Sequence, residues 1–220
     1  HGLFLYEETL RTPLIVKVPR QAGSGNRAAA LVQHADIVPT ILDLIGAPRP
    51  SSLRGRSLRH LLDSPEDTLP TRQVYAESFL GRFRFGWSEL VSVTDGRYRF
   101  TRAPRPELYD LRTDPKERRN LFDAQAQAAT VMGAAIDKLT AGSAIPAPVA
   151  VTDEERARLA ALGYVSRVPT IAADVPADQL ADPKDPAMRE AHLMLGHIEF
   201  NHPIPETISF LKYPFIRAVM

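Results

Sequence analysis

Hydrophobic positions change their period near residue 73, from short apolar runs and helical spacing before it to short aromatic and β-branched segments after it. The short apolar run Leu14-Ile15-Val16 lies between Pro13 and Pro19. A compact β-branched run so bounded predicts a buried strand. The next stretch, "RQAGSGNRAAA", carries two glycines, Ser24 and Asn26 and predicts a loop. In "HADIVPTILDLIGAP", Ile41, Leu42 and Ile45 recur at helical spacing, Asp36 stands where a cap belongs, and Gly46 with Pro48 supplies the stop. Those signals predict a short buried helix. Residues 49–72 are rich in Arg, Ser and Pro and predict a surface connection with one helical turn at "SLRHLL".

From residue 73 the segments "QVYAESF", "WSELVSVTDGRYRFTRAP" and "PELYDL" predict strands, and Asp95-Gly96 between "LVSV" and "RYRF" predicts a hairpin. A small antiparallel sheet is therefore expected at about residues 73–112. The Ala-rich "AQAQAATVMGAAIDKLTA" has apolar residues at helical spacing and should pack on that sheet. After the Pro-rich "SAIPAPVAV", "TDEERARLAALGYV" predicts a short helix with Thr152 as N-cap and Gly163 as its stop. The Pro-rich stretch from 167 to Pro186 predicts an extended linker, and the apolar end predicts two short helices. These shifts divide the chain into 1–72, 73–142, 143–186 and 187–220.

Composition narrows the function classes. With 27 Lys plus Arg against 26 Asp plus Glu the formal charge is +1, which offers no footprint for nucleic acid or anionic lipid. No apolar run reaches the roughly 18 residues of a spanning helix. The absence of cysteine excludes disulfides, thiolate metal sites and a cysteine nucleophile within these residues. The opening at His1, with neither a basic nor an apolar leader region, is expected of a fragment or a processed piece.

Spacing alone identifies little chemistry. His34 and Asp36 are two apart, and His192, His197 and His202 are five apart, so neither set lines up on one helix face as metal ligands do. No G-x-S-x-G, G-x-G-x-x-G or P-loop occurs. Glu7 and Glu8 before Arg11 read as a structural ion pair. Trp87, the only tryptophan, stands in "GRFRFGWSEL" among Arg82, Phe83, Arg84 and Phe85. Such a mixture lines an anionic substrate cleft or simply covers the core as a loop.

Six strings change the reading: "HGLFLYEETLRTPLIV", "HADIVPTILDLIGAP", "LRGRSLRHLL", "VYAESF", "GWSELVSVTDGRYRFTRAPRPELYDLRTDPKERRNL" and "LAALGYVS". Their order and spacing resemble the sulfatase family of the alkaline phosphatase superfamily, from His1 to about Ser166. The most specific is "PELYDLRTDPKERRNL", which is similar to the final strand and turn of the sulfatase C-terminal subdomain. The resemblance implies sulfate-ester hydrolysis by a formylglycine made from Cys or Ser in a C/S-x-P-x-R motif, with Ca²⁺ held by Asp and Asn side chains as a Lewis acid. That motif is absent from this sequence, as are an early Asp-Asp pair and a late D-H-G segment. The chain is thus expected to start just downstream of the metal ligands and to be inactive alone.

The same resemblance implies that His1 donates to the sulfate group, as a charge-assisted hydrogen bond would, that Arg11 is structural, and that Arg82, Arg84 and Trp87 line the substrate cleft. The tail from about 187 is faintly like a tetratricopeptide repeat, which makes a protein partner an expectation for it. The fold expected is α/β: the C-terminal part of an alkaline-phosphatase-like core, a small antiparallel α+β subdomain and a helical tail. The expected substrate is a sulfated small molecule or glycan. The alternatives are a phosphodiester or phosphonate monoester hydrolase of the same superfamily, and a non-catalytic interaction module.

Overall fold

The strongest local signal in the chain is the Asp95-Gly96 turn. Asp95 Oδ1 accepts the backbone N–H groups of Arg97 at 2.8 Å and Tyr98 at 2.7 Å, while Gly96 takes a positive φ of 90°. A side chain that binds its own backbone two and three residues on, beside a residue free to enter the left-handed region, reverses the chain. The strands it joins are β2 (Leu90–Thr94) and β3 (Tyr98–Arg102). With β1 (Val74–Ser78) and β4 (Glu107–Asp110) they form a four-stranded antiparallel sheet in chain order. The sheet lies within the span that alternation predicts. The computed structural model describes residues 3–19, 25–65, 72–142, 152, 154, 155, 157, 158 and 175–190.

Register fixes which side chains share a face, because successive residues of a strand point to opposite sides. Val93 pairs with Phe100 and Phe100 with Leu108, so these three form one apolar row across the sheet. Helix α5 (Ala126–Thr140) lies against that row and contributes Ala129, Met132 and Ile136 to the same buried cluster. Its period of apolar residues is therefore satisfied on the sheet, as the sequence predicts.

The opposite face of the sheet carries polar side chains that are nonetheless buried, alongside Leu90 and Tyr109. Ser92, Thr94, Arg99 and Thr101 all lie there and are nearly inaccessible. Part of what covers them is the N-terminal segment with buried Leu3 and Leu5, followed by the single turn α1 (Glu7–Leu10). Arg99 donates through Nη1 to the Leu5 carbonyl at 3.0 Å and is ion-paired with Glu7. The Glu7 N–H in turn donates to Glu117 Oε2 at 2.6 Å. Glu7 has Arg11 only at 4.0 Å, so its principal ionic partner is Arg99 rather than the neighbour four residues on.

The helix read from "IVPTILDL" forms as α2 (Ile37–Leu44) and ends at Gly46, whose φ is 69°. Two expectations here are corrected. The Asp36 side chain makes no cap bond to α2; it closes the preceding 3₁₀ turn (His34–Asp36) and binds Arg72. The helix is also not buried on its apolar face: among the described residues Val38, Ile41 and Ile45 stay exposed. Leu14, Ile15 and Val16 are likewise exposed, and no described strand pairs with them. A β-branched run becomes a buried strand only where a partner satisfies its backbone groups and covers its side chains, and the described residues supply none.

The connection after α2 is more than surface. Leu58 and Leu61, the latter in the short α3 (Arg59–Asp63), are buried, and Thr40 Oγ1 accepts the Leu58 N–H at 2.9 Å. The chain reaches this packing by passing Ala35 at Gly55, where a Cβ would stand 1.7 Å from the Ala35 carbonyl oxygen. Backbone on both sides leaves no room to yield. Gly55→Ala is therefore expected to cost about 3 kcal/mol or more by overpacking, read as a lower urea midpoint at unchanged slope. A midpoint equal to wild type would show that the approach relaxes freely. Farther on, Thr152 caps its turn as expected: Glu155 N–H donates to Thr152 Oγ1 at 3.2 Å, and Thr152 N–H donates to Glu155 Oε2 at 2.9 Å. Gly163 and the apolar tail lie outside the described residues.

Candidate functional site

The basic and aromatic string "GRFRFGW" folds as helix α4 (Leu80–Phe85) and its exit. The helix stops because Gly86 enters the left-handed region at φ 68°, which lets the Trp87 N–H reach back to the Gly81 carbonyl at 3.1 Å. This is the glycine-ended helix cap that residues with a Cβ adopt only with strain. The reversal brings Trp87 onto Phe85, with ring centroids 4.5 Å apart and planes inclined by 28°. Arg84 is exposed, with its guanidinium carbon 5.9 Å from the Phe85 centroid.

Of the described residues expected at a substrate cleft, Arg84 is exposed, whereas Trp87 is 9% exposed and stacks on the partly exposed Phe85, so Arg84 and Phe85 form the accessible part of an aromatic and cationic ledge. Arg82, two residues away, points inward. Its side chain is 3% exposed, its Nη1 donates to Glu89 Oε2 at 2.6 Å and its Nη2 to the Val175 carbonyl at 2.7 Å. That guanidinium therefore secures the ledge from beneath. His1 lies outside the described residues, but the segment leading from it is anchored by buried Leu3 and Leu5 and by the Arg99 contacts.

The remaining buried charges are structural pairs that spacing could not reveal. Asp36 is wholly enclosed and accepts from Arg72 Nη1 at 2.9 Å, from Arg72 Nη2, from the Arg56 N–H at 2.8 Å and from the Gln33 N–H at 2.9 Å. Burial alone would raise its pKa, but the Arg72 and backbone hydrogen bonds outweigh it and hold the carboxyl below the usual range. Glu117 is displaced the other way: burial pushes it up, against the Glu7 N–H and Arg99. Glu107 is also raised by burial, beside Tyr6 Oη at 3.3 Å. Burial raises the phenols of Tyr6 and Tyr109 in the same cluster.

Each of these carboxylates already has a protein partner. Among the described residues no three His, Asp or Glu side chains converge as a metal centre requires. The donor set of the described residues therefore does not fit a calcium site. Also among the described residues, no helix is long and apolar enough to cross a membrane.

Comparison with known proteins identifies the framework that carries this ledge. The chain is 27% identical over 125 residues to an N-acetylglucosamine-6-O-sulfatase of Bacteroides thetaiotaomicron, a match covering 54% of this chain and 22% of that protein. It is 30% identical over 149 residues to an arylsulfatase of Chlamydomonas reinhardtii, covering 54% and 23%. A solved structure of a putative sulfatase from Bacteroides thetaiotaomicron matches at 26% identity with a TM-score of 0.41, over 48% of this chain and 24% of that one. The chain spans less than a quarter of the length of these curated relatives. The family model for the C-terminal region of N-sulphoglucosamine sulphohydrolase matches residues 2–142, the whole of the span that contains the sheet, α4 and α5. The chain accordingly belongs to that family and carries the C-terminal region of a sulfatase of the alkaline phosphatase superfamily.

Proposed function

We propose that this chain is the C-terminal part of an enzyme that hydrolyses sulfate esters, and that its own contribution is to bind and orient a sulfated small molecule or glycan. The family match over residues 2–142 carries this reading. The chemistry that the family resemblance implies, a formylglycine nucleophile and a calcium ion, is assigned to residues outside this chain. Within the chain, Arg84 is the proposed contact to the anionic group, and the stacked pair of Phe85 and the more deeply buried Trp87 is the proposed contact to the sugar. An exposed guanidinium beside a sulfate ester makes short charge-assisted hydrogen bonds to anionic oxygens. An aromatic face packs against the apolar side of a sugar ring. His1 is the proposed donor to the sulfate group itself, and Arg82 keeps the ledge in place through Glu89 and Val175.

Two assays test the proposal. The purified 220-residue chain should release no sulfate from an aryl sulfate, and no phosphonate from an aryl phosphonate ester, above a buffer control. Turnover by the chain alone would overturn the assignment of the nucleophile to other residues. In the same protein extended upstream along its reading frame, sulfate release should appear, and Arg84→Ala should raise KM for a sulfated sugar by about tenfold at a modest change in kcat. That factor corresponds to one charge-assisted contact of about 1.4 kcal/mol. An unchanged KM would remove Arg84 from the substrate site, and preference for the phosphonate ester would replace the sulfatase reading.

A further inference from the structure

The family match ends at residue 142, yet the chain returns to the sheet subdomain at residues 175–190, which overlap the stretch up to Pro186 whose prolines predict a linker. The returning segment is not lying loosely on the surface. Pro183 is fully buried, and Asp182 and Lys184 are 3% and 8% exposed.

The ammonium of Lys184 has three donors and uses all of them. Two go to the Asp182 carboxylate, at 2.9 Å and 2.8 Å, and the third to the Arg105 carbonyl at 2.9 Å. Asp182 also accepts the Arg105 N–H, which donates to Oδ2 at 2.9 Å. Burying an acid and a base two residues apart is unfavourable unless their hydrogen bonds are completed. Here the turn between β3 and β4 completes them. On the other side, the Ser88 N–H donates to the Ala181 carbonyl at 2.9 Å, directly after the Trp87 ledge. The seat is shaped for the proline ring: a Cβ on Gly81 would stand 3.3 Å from Pro183 Cγ and 3.6 Å from Leu3 Cδ1. At the far end the Arg189 guanidinium lies 5.1 Å from the Phe4 centroid.

We infer that residues 175–190 form an intramolecular clasp, in which the Asp182-Pro183-Lys184 segment docks in a seat built by Gly81, Ser88 and the Arg105 turn. Residues 175–190 thereby hold a fixed place on the sheet subdomain. The clasp also reaches α4 through the Val175 carbonyl, which accepts from Arg82 Nη2 at 2.7 Å, but its docking rests on contacts of Asp182, Pro183 and Lys184 that the substrate proposal does not use.

Amide hydrogen exchange on the full chain tests it, with Lys184→Met and Asp182→Ala as variants. The reporter is the Ser88 amide, whose acceptor, the Ala181 carbonyl, is untouched by either substitution. It should be protected in the wild type and exchange at least about tenfold faster in both variants, as a local opening would produce. The amides of β2 and β3 should keep their rates within about twofold. Free exchange of Ser88 in the wild type, or an unchanged rate in both variants, would overturn the clasp. Parallel loss of protection in the β2 and β3 ladder in both variants would also overturn it, by making the segment an inseparable part of the core. If Asp182→Ala fails to fold, Lys184→Met decides, because it leaves Asp182 with the Arg105 N–H.

Discussion

Replacing Asp36 by alanine should lower the unfolding free energy by about 3–5 kcal/mol, the usual cost of leaving one member of a buried ion pair without its partner. The carboxylate is enclosed and joins three stretches of chain: the 3₁₀ turn through Gln33, the connection through Arg56, and the entry to β1 through Arg72. Arg72 also donates to the Leu31 carbonyl, at 3.1 Å and 2.8 Å, so its guanidinium would remain half-satisfied. Denaturant unfolding of wild type and variant measures the loss. A difference under about 1 kcal/mol would show that solvent reaches the pair and that the junction is held elsewhere.

The same group makes a pH prediction. Its folded-state pKa lies below the ordinary aspartate value of about 3.9. The contribution of Asp36 is therefore complete above that value and is lost as the pH falls through it toward the lower folded-state value. Asp36→Asn should flatten the acid limb of the stability curve. An acid limb identical to wild type would assign the acid sensitivity to other carboxylates.

Leu108→Ala should cost about 2–5 kcal/mol by removing apolar contact and leaving a cavity. Leu108 is wholly buried at the end of the row that runs through Phe100 to Val93, and its cluster includes Met132 and Ile136 of α5. Because both residues share one cluster, Leu108→Ala and Ile136→Ala should not add, and a double-mutant cycle should return a coupling of about 0.5 kcal/mol or more. Additivity would mean that helix and sheet are stabilised independently. A loss under about 1 kcal/mol for Leu108→Ala would place the main core outside this cluster.

How much of this was legible depended on the range of the interaction concerned. The hairpin was readable because Asp95 binds N–H groups two and three residues away. The α5 face was readable because helical period needs only a surface to meet, and the sheet beside it offered one. The ledge was half readable. Arg82, Arg84 and Trp87 stand in one string, but the helical turn that carries them sends Arg82 inward to Glu89 and Val175 and leaves Arg84 outside. Alternation along a strand also gives no sign that a polar face is covered, so nothing marked Arg99 as the charge that holds Glu7.

The sequence by itself determined the span of the sheet, its Asp95-Gly96 turn, the helices α2 and α5 and the family to which the strings belong, since each rests on residues close together along the chain. It did not determine the Asp36 cap or the fate of Leu14-Ile15-Val16, which depend on distant partners. The tertiary structure alone decided which charges are buried together: Asp36 with Arg72, Arg99 with Glu7, and the Arg105 turn with Asp182 and Lys184. It also decided that, among the described residues, nothing covers Val38, Ile41 and Ile45 despite their helical period. The physical reason is the same in each case. Burial and ion pairing depend on what the fold brings alongside from a distance, and local spacing says that a residue needs a partner without saying where one stands.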